Sequence, residues 1–196
     1  MDPSDARRFL EDLKIGIEDL APWKLEGHPH EYSYGRTVIE EGKKYELMVV
    51  TWLPDDFSMI HNHGDASWGV VQIFGGLEHN SYSCKNRHLT LLGNSKVQEG
   101  QILGISPQLI HQMGNTTDQV IVSLHLYWNN DPQGAITANT FLYDVVNEQI
   151  LTVDGGAFYA LKEEWVLKAD PILTSSPEIL EQEKSRLAHR QRLITS

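Results

Sequence analysis

MIHNHGDASWGVV, residues 59–71, decides how this chain is read. His61 and His63 stand two apart, and the apolar run WGVVQIF, residues 68–74, follows directly. In a strand, residues i and i+2 share a face, so both imidazoles would point the same way. A metal site in a small barrel needs such a pair plus a ligand from another strand. His111 is the third candidate: it follows GQILGISPQLI, where Gly100 and Pro107 bracket a short strand and turn, and Asn115 lies four residues on. An HxH on a surface strand also has a plainer reading, as two polar residues on the wet face.

Outward from this stretch the chain reads as brief strands between Gly, Asn and Pro punctuation. RTVIEE and YELMVVTW flank an EGKK turn as a hairpin, and LPDD is a loop leading into an HxH strand. NRHLTLLGNSKVQEG carries two turn signals around short apolar pieces, QVIVSLHLYW is a further strand, and FLYDVVNEQILTVDGG a further hairpin. A helix is predicted over about 3–20, capped by Ser4 or Asp5, with Phe9, Leu10, Leu13 and Ile17 at helical spacing and Pro22 ending it. The tail, about 177–194, has helical charge pairing, Ser175 or Ser176 as a cap and Pro177 in its first turn. The pattern is mainly β, a sandwich or barrel with helices at both ends.

The 196 residues suffice for one domain, predicted as a barrel over about 32–160 between its two helical segments. A formal net charge of −11 argues against nucleic acid and acidic membrane surfaces as partners, so an anionic substrate needs a local positive group. The single cysteine, Cys84, forms no disulfide within the chain, which fits a reducing cytoplasm. MDPSDARRFLEDLK has no apolar leader segment, and no apolar run of about eighteen residues is present to span a membrane. A monomer and a small homo-oligomer are both compatible with the sequence.

The two histidine stretches, HNHGDASWGVVQIFGG and GQILGISPQLIHQMGN, resemble the two motifs of the cupins. That resemblance implies a double-stranded β-helix, or jelly-roll barrel. The acidic ligand usual in the first motif would fall near Ser67 or Trp68, neither a carboxylate, which leaves His61, His63 and His111 as the metal ligands. Three-histidine coordination is similar to that of the thiol dioxygenases, the cysteine dioxygenase type I family. SLHLY carries that resemblance further: Ser123, His125 and Tyr127 alternate onto one face, and in the family this triad relays hydrogen bonds towards the metal site. YGRTVIEEGKKYELMVVTW resembles the segment whose arginine holds the substrate carboxylate, which assigns that role to Arg36. The matches cover roughly residues 32–130. Animal members carry a cysteine shortly after HxH that becomes linked to the tyrosine. Here SWGVV offers Trp68 and Gly69, as in bacterial members, and DAS makes the stretch one residue longer.

The resemblance implies an iron(II) (Fe2+) enzyme that joins a small thiol, L-cysteine, to O2 to give cysteine sulfinate. 3-Mercaptopropionate is the close alternative substrate; enzymes preferring it tend to lack an arginine at the Arg36 position. Spacing alone does not choose iron, since three histidines with an open position also describe catalytic zinc. A cupin isomerase or hydrolase and a non-catalytic ligand-binding cupin are the other readings. Trp68 is expected to line the substrate pocket, and the other tryptophans to be core or rim. Arg36 also reads as a surface ion pair with Glu40 or Glu41, and SLHLY as an amphipathic strand with a core histidine. His28, His30, His79, His88 and His189 are expected to be solvated.

Overall fold

The structure, a computed structural model, describes residues 2–195. Helix α1 (Pro3–Leu13) starts one turn earlier in its capping than the sequence suggests: the Asp2 carboxylate accepts from the Asp5 amide at 2.9 Å, with Pro3 in the first turn. It also ends early. Lys14 caps it at φ 49°, and after Gly16 the chain makes only a short 3-10 turn at Ile17–Leu20. Burial explains the break: Ala6 and Leu10 are buried, whereas Phe9, Leu13 and Ile17 remain exposed, so a longer helix had no apolar face to seat.

Among the described residues twelve strands follow. They are β1 (Gly35–Glu41), β2 (Tyr45–Trp52), β3 (Trp68–Phe74), β4 (Leu77–Lys85), β5 (His88–Val97) and β6 (Ile102–Ile105). Then come β7 (Ile110–Gly114), β8 (Ile121–Trp128), β9 (Thr140–Asp144), β10 (Gln149–Val153), β11 (Val166–Pro171) and β12 (Thr174–Ser175), before helix α2 (Pro177–Thr195). One sheet has the order β1-β2-β8-β3-β6. The other is assembled from β12-β5-β4-β7 and β9-β10-β11. The HxH segment joins these two halves: Phe57 bridges Gly114, and His61 bridges both His111 and Leu142. Met48, Val50, Trp52, Val71, Ile73 and Tyr127 from the first sheet share one apolar core with Leu77, Val97 and Met113 from the second. Two facing sheets with these crossed connections are the cupin double-stranded β-helix.

Two strand expectations change. The HxH segment is not a regular strand; it is an extended piece held on both sides by single bridges, because the chain turns sharply at Gly64. Gly64 has φ 52°, and a Cβ there would lie 1.9 Å from the Ala138 carbonyl oxygen. β5 runs unbroken through Gly93 and Asn94, absorbing Leu92 as a bulge between the pairs Ser81–Gly93 and Tyr82–Leu91.

The outer face of the first sheet packs Trp68, Val70, Phe74, Val122 and Leu124 against Ala6 and Leu10 of α1. α2 lies outside the second sheet, held by polar groups. Glu183 accepts from the Gln112 side chain at 2.9 Å and from the Tyr159 hydroxyl at 2.7 Å, and Arg190 pairs with Asp56 at 3.2 Å. Asp56 also pairs with His28 at 2.7 Å, so His28 is buried in an ionic cluster rather than solvated.

Candidate metal centre and cavity

His61, His63 and His111 meet at one end of the barrel. One ring nitrogen from each lies within 4.8 Å of the others, and the ring centroids are 5.2, 4.7 and 4.8 Å apart. The backbone fixes this meeting: His61 and His111 exchange both amide hydrogen bonds, each 2.9 Å, across the bridge. Burial lowers the proton affinity of all three rings, pushing His61 down to about 4 and His63 and His111 well below the ordinary histidine value. They are neutral imidazoles at neutral pH.

The hydrogen bonds orient two of them. His61 Nδ1 lies 2.8 Å from the Met59 carbonyl, which only accepts, so Nδ1 carries the proton and Nε2 presents a lone pair. His111 Nδ1 lies 2.9 Å from His79 Nε2, leaving His111 Nε2 as its free nitrogen. Both ring nitrogens of His63 are buried without a hydrogen-bond partner among the described residues. Three neutral imidazoles, one with orphaned buried nitrogens, fit a divalent transition metal, and they leave positions beyond their own open.

The cluster opens into a cavity of about 60 Å3, small enough for a few heavy atoms. Strand register supplies its walls. On the inward faces, Glu46 of β2 sits opposite Tyr127 of β8 and Tyr127 opposite Gly69 of β3; Met48 sits opposite His125 and Val50 opposite Ser123. Gly69 makes room for the tyrosine: a Cβ there would lie 2.5 Å from Tyr127 Cδ1.

Along β8 a hydrogen-bonded row runs toward the three-histidine cluster. Trp52 Nε1 donates to Ser123 Oγ at 2.9 Å, Ser123 Oγ and His125 Nε2 are 2.7 Å apart, and His125 Nδ1 and the Tyr127 hydroxyl are 3.0 Å apart. An indole only donates, so Ser123 Oγ accepts from Trp52, and the direction of its contact with His125 follows the histidine tautomer. Burial, with Arg36 nearby, pushes His125 down to about 3, so the ring is neutral and carries one proton. With that proton on Nδ1, Ser123 donates to Nε2, Nδ1–H donates to the Tyr127 oxygen and the Tyr127 proton points into the cavity; with it on Nε2, the Tyr127 hydroxyl donates to Nδ1 instead. Burial also raises the Tyr127 pKa, which keeps the hydroxyl protonated. The Tyr127 and His63 ring centroids are 5.3 Å apart.

Arg36 projects from β1 into the same cavity. Its Nη2 donates to Glu46 Oε1 at 2.5 Å and its Nε to Met48 Sδ at 3.1 Å. Burial raises the Glu46 pKa and Arg36 opposes that rise.

The model of the cysteine dioxygenase type I family matches residues 18–138, well over half of the chain. The chain belongs to the cysteine dioxygenase type I family. Cysteine dioxygenase type 1 of Danio rerio is 32% identical over 130 residues, which cover 63% of this chain and 63% of that protein. The enzyme of Rattus norvegicus is 26% identical over 145 residues, covering 63% of this chain and 72% of that one. The match to the Danio rerio protein therefore spans less than two-thirds of that protein's length. A Klebsiella pneumoniae protein with a double-stranded β-helix domain overlaps 57% of this chain and 88% of its own, at 13% identity and a TM-score of 0.44.

Against the residues singled out in this family member, the structure brings His61, His63, His111, Ser123, His125, Tyr127 and Arg36 to one place; six of them line the cavity, and Ser123 sits behind it. Trp68 is elsewhere. In β3 it points outward, stacked on Trp128 at 5.8 Å, because the turn after His63 shifts strand parity so that Gly69 faces inward. Arg36 pairs with Glu46 rather than Glu40 or Glu41, and His79 is engaged with His111 rather than solvated. Sequence reading missed Glu46, Met48, Trp52, Tyr34 and His79. For Glu46 a signal was present: an acid at an inward position of the strand YELMVVTW, in phase with Met48, Val50 and Trp52. No helix is long and apolar enough to cross a membrane among the described residues.

Proposed function

We propose that this protein is an iron(II) thiol dioxygenase that converts L-cysteine and O2 to cysteine sulfinate. One observation carries the reading: three neutral imidazoles, a guanidinium and a tyrosine hydroxyl share one small cavity. His61, His63 and His111 would hold the metal. Iron(II) bound there supplies the redox chemistry that joins a thiolate to dioxygen, which a zinc ion does not. Both oxygen atoms end on sulfur, RSH + O2 giving RSO2H, so no external reductant is consumed.

The chain's own groups position and protect. Arg36 offers guanidinium N–H groups to a carboxylate while one of its edges is held by Glu46. Tyr127 donates its hydroxyl proton to polar atoms gathered beside His63, its direction set by Ser123 through His125. Met48, Val50, Trp52 and Met113 add apolar wall beside polar residues such as Ser58 and Thr140, and this lowers the local dielectric around these polar contacts.

The test is an oxygen-electrode assay on iron-loaded protein with cysteine, 3-mercaptopropionate and cysteamine. Oxygen uptake fastest with cysteine is the expected result. Faster uptake with 3-mercaptopropionate reassigns the substrate within the class. No uptake with any of the three overturns the dioxygenase reading and returns the site to zinc-type isomerase, hydrolase or binding chemistry.

A further inference from the structure

We propose that Glu46 sets how strongly the cavity selects thiols that bear a carboxylate, by holding one edge of Arg36 and offsetting its charge. The inference rests on the reading of Arg36 as the carboxylate-binding group.

Glu46 is out of place by strand chemistry. It is an acid on the inward face of β2, in a row otherwise made of Met48, Val50 and Trp52, and it is only 8% exposed. A buried carboxylate is costly unless it is paired, and the pair it makes is with Arg36 at 2.5 Å. Its register partner on β8 is Tyr127, so it sits beside the group that faces the metal cluster. Yet Glu46 does not itself line the cavity, whereas Arg36 does. The acid stands behind the arginine.

The donors of Arg36 can be assigned one by one. A guanidinium has five N–H groups. Nε donates to Met48 Sδ and one Nη2 hydrogen to Glu46, so two of the five are spent within the protein. Three remain for a ligand, both on Nη1 and the second on Nη2. They still suffice for two hydrogen bonds to a carboxylate. The charge balance differs, however, from that of a lone arginine. An incoming carboxylate meets a cation already paired with an anion, so its Coulombic gain is largely cancelled and the hydrogen bonds remain. A thiol with an amine but no carboxylate gives up little by comparison.

Glu46→Gln separates position from charge. Glutamine keeps an acceptor oxygen for Nη2 and removes the negative charge. The measurement is anaerobic calorimetric binding of cysteine, 3-mercaptopropionate and cysteamine to zinc-loaded protein, in which no turnover occurs. In E46Q, the affinity of both carboxylate thiols relative to cysteamine should rise about tenfold over wild type. The ratio between ligands is the readout because it cancels any change in metal loading or folded fraction. An unchanged or reduced ratio overturns the proposal. The wild type supplies a second measurement that needs no variant: its preference for 3-mercaptopropionate over cysteamine should stay within about tenfold, as for hydrogen bonds without a net ion pair. A wild-type preference above a hundredfold, or no thiol binding at all, also overturns it. None of these outcomes depends on oxygen chemistry, so they are distinct from failure of the dioxygenase reading, which shows as absent oxygen uptake.

Discussion

Ser123→Ala is the substitution with the most to say about the row of hydrogen bonds on β8. Ser123 is fully buried and serves two partners: it accepts from Trp52 Nε1 at 2.9 Å and, in the proton order proposed for the site, donates to His125 Nε2 at 2.7 Å. Losing the hydroxyl orphans one buried donor and one buried acceptor, each costing about 1–3 kcal/mol. A total near 3 kcal/mol lowers the unfolding midpoint of a chain this size by about 6–12 °C, which leaves it folded at 25 °C. The second effect is on proton placement. Without Ser123 the Nε2 lone pair has no donor, so the His125 proton is no longer confined to Nδ1 and the Tyr127 proton can turn back onto His125 instead of the cavity. A donor lost at that point should lower kcat about 10–100-fold, or about 1.4–2.8 kcal/mol. Because Ser123 acts through Tyr127, the loss should not add to that of Tyr127→Phe: the double variant should turn over like Tyr127→Phe alone, while both single variants retain metal. Thermal melts, metal analysis and initial rates on the four proteins make the test. Wild-type turnover in Ser123→Ala, or multiplicative losses in the double variant, would refute the assigned proton order.

Other expectations concern the surroundings of this row. His79→Leu removes the hydrogen-bond partner that His111 Nδ1 has among the described residues and should weaken metal binding about 10–100-fold in a chelator competition; unchanged affinity removes His79 from the site. Gly69→Ala places a Cβ against the Tyr127 ring and should destabilise by about 1–3 kcal/mol in urea unfolding, with a neutral result showing that the ring moves freely. Metal-free protein should lose stability as pH falls below 6.5. There the unfolded chain protonates His61 and His125 while the native rings, held down to about 4 and about 3 by burial, do not, so each costs the native state about 1.4 kcal/mol per pH unit. His28 is shifted the other way, burial being outweighed by its hydrogen bonds to Asp56 and Pro29 and by the Asp56 charge, so its stabilisation is complete by pH 6.5 and does not offset the loss below it. An unfolding midpoint equal at pH 7.5 and 5.5 would contradict this.

Much of the architecture was legible because it is written in alternation. SLHLY puts Ser123, His125 and Tyr127 on one face of a strand by parity alone, and β8 is central to its sheet, so nothing shifts that parity. His61 and His63 were legible as a pair from their spacing and His111 as a candidate third, but the resemblance was needed to join them, since residues fifty apart are brought together by pairing that no local pattern encodes. Trp68 went astray for a local reason: the turn at Gly64 and Asp65 breaks the phase between HxH and β3, so counting outward from the histidines lands on the wrong face. Glu46 and His79 were hidden by charge. Each is a polar residue on a strand, normally read as solvated, and each is engaged instead, Glu46 by Arg36 of the neighbouring strand β1 and His79 by His111 of β7. The N-terminal helix misled in the opposite sense, its helical spacing continuing past Leu13 with nothing to pack against.

The most direct measurement is product analysis after a single turnover of iron-loaded protein with L-cysteine under 18O2. The account predicts cysteine sulfinate carrying two labelled oxygen atoms on sulfur, with one O2 consumed per thiol. Disulfide as the product, one labelled oxygen, or no consumption of O2 would contradict it.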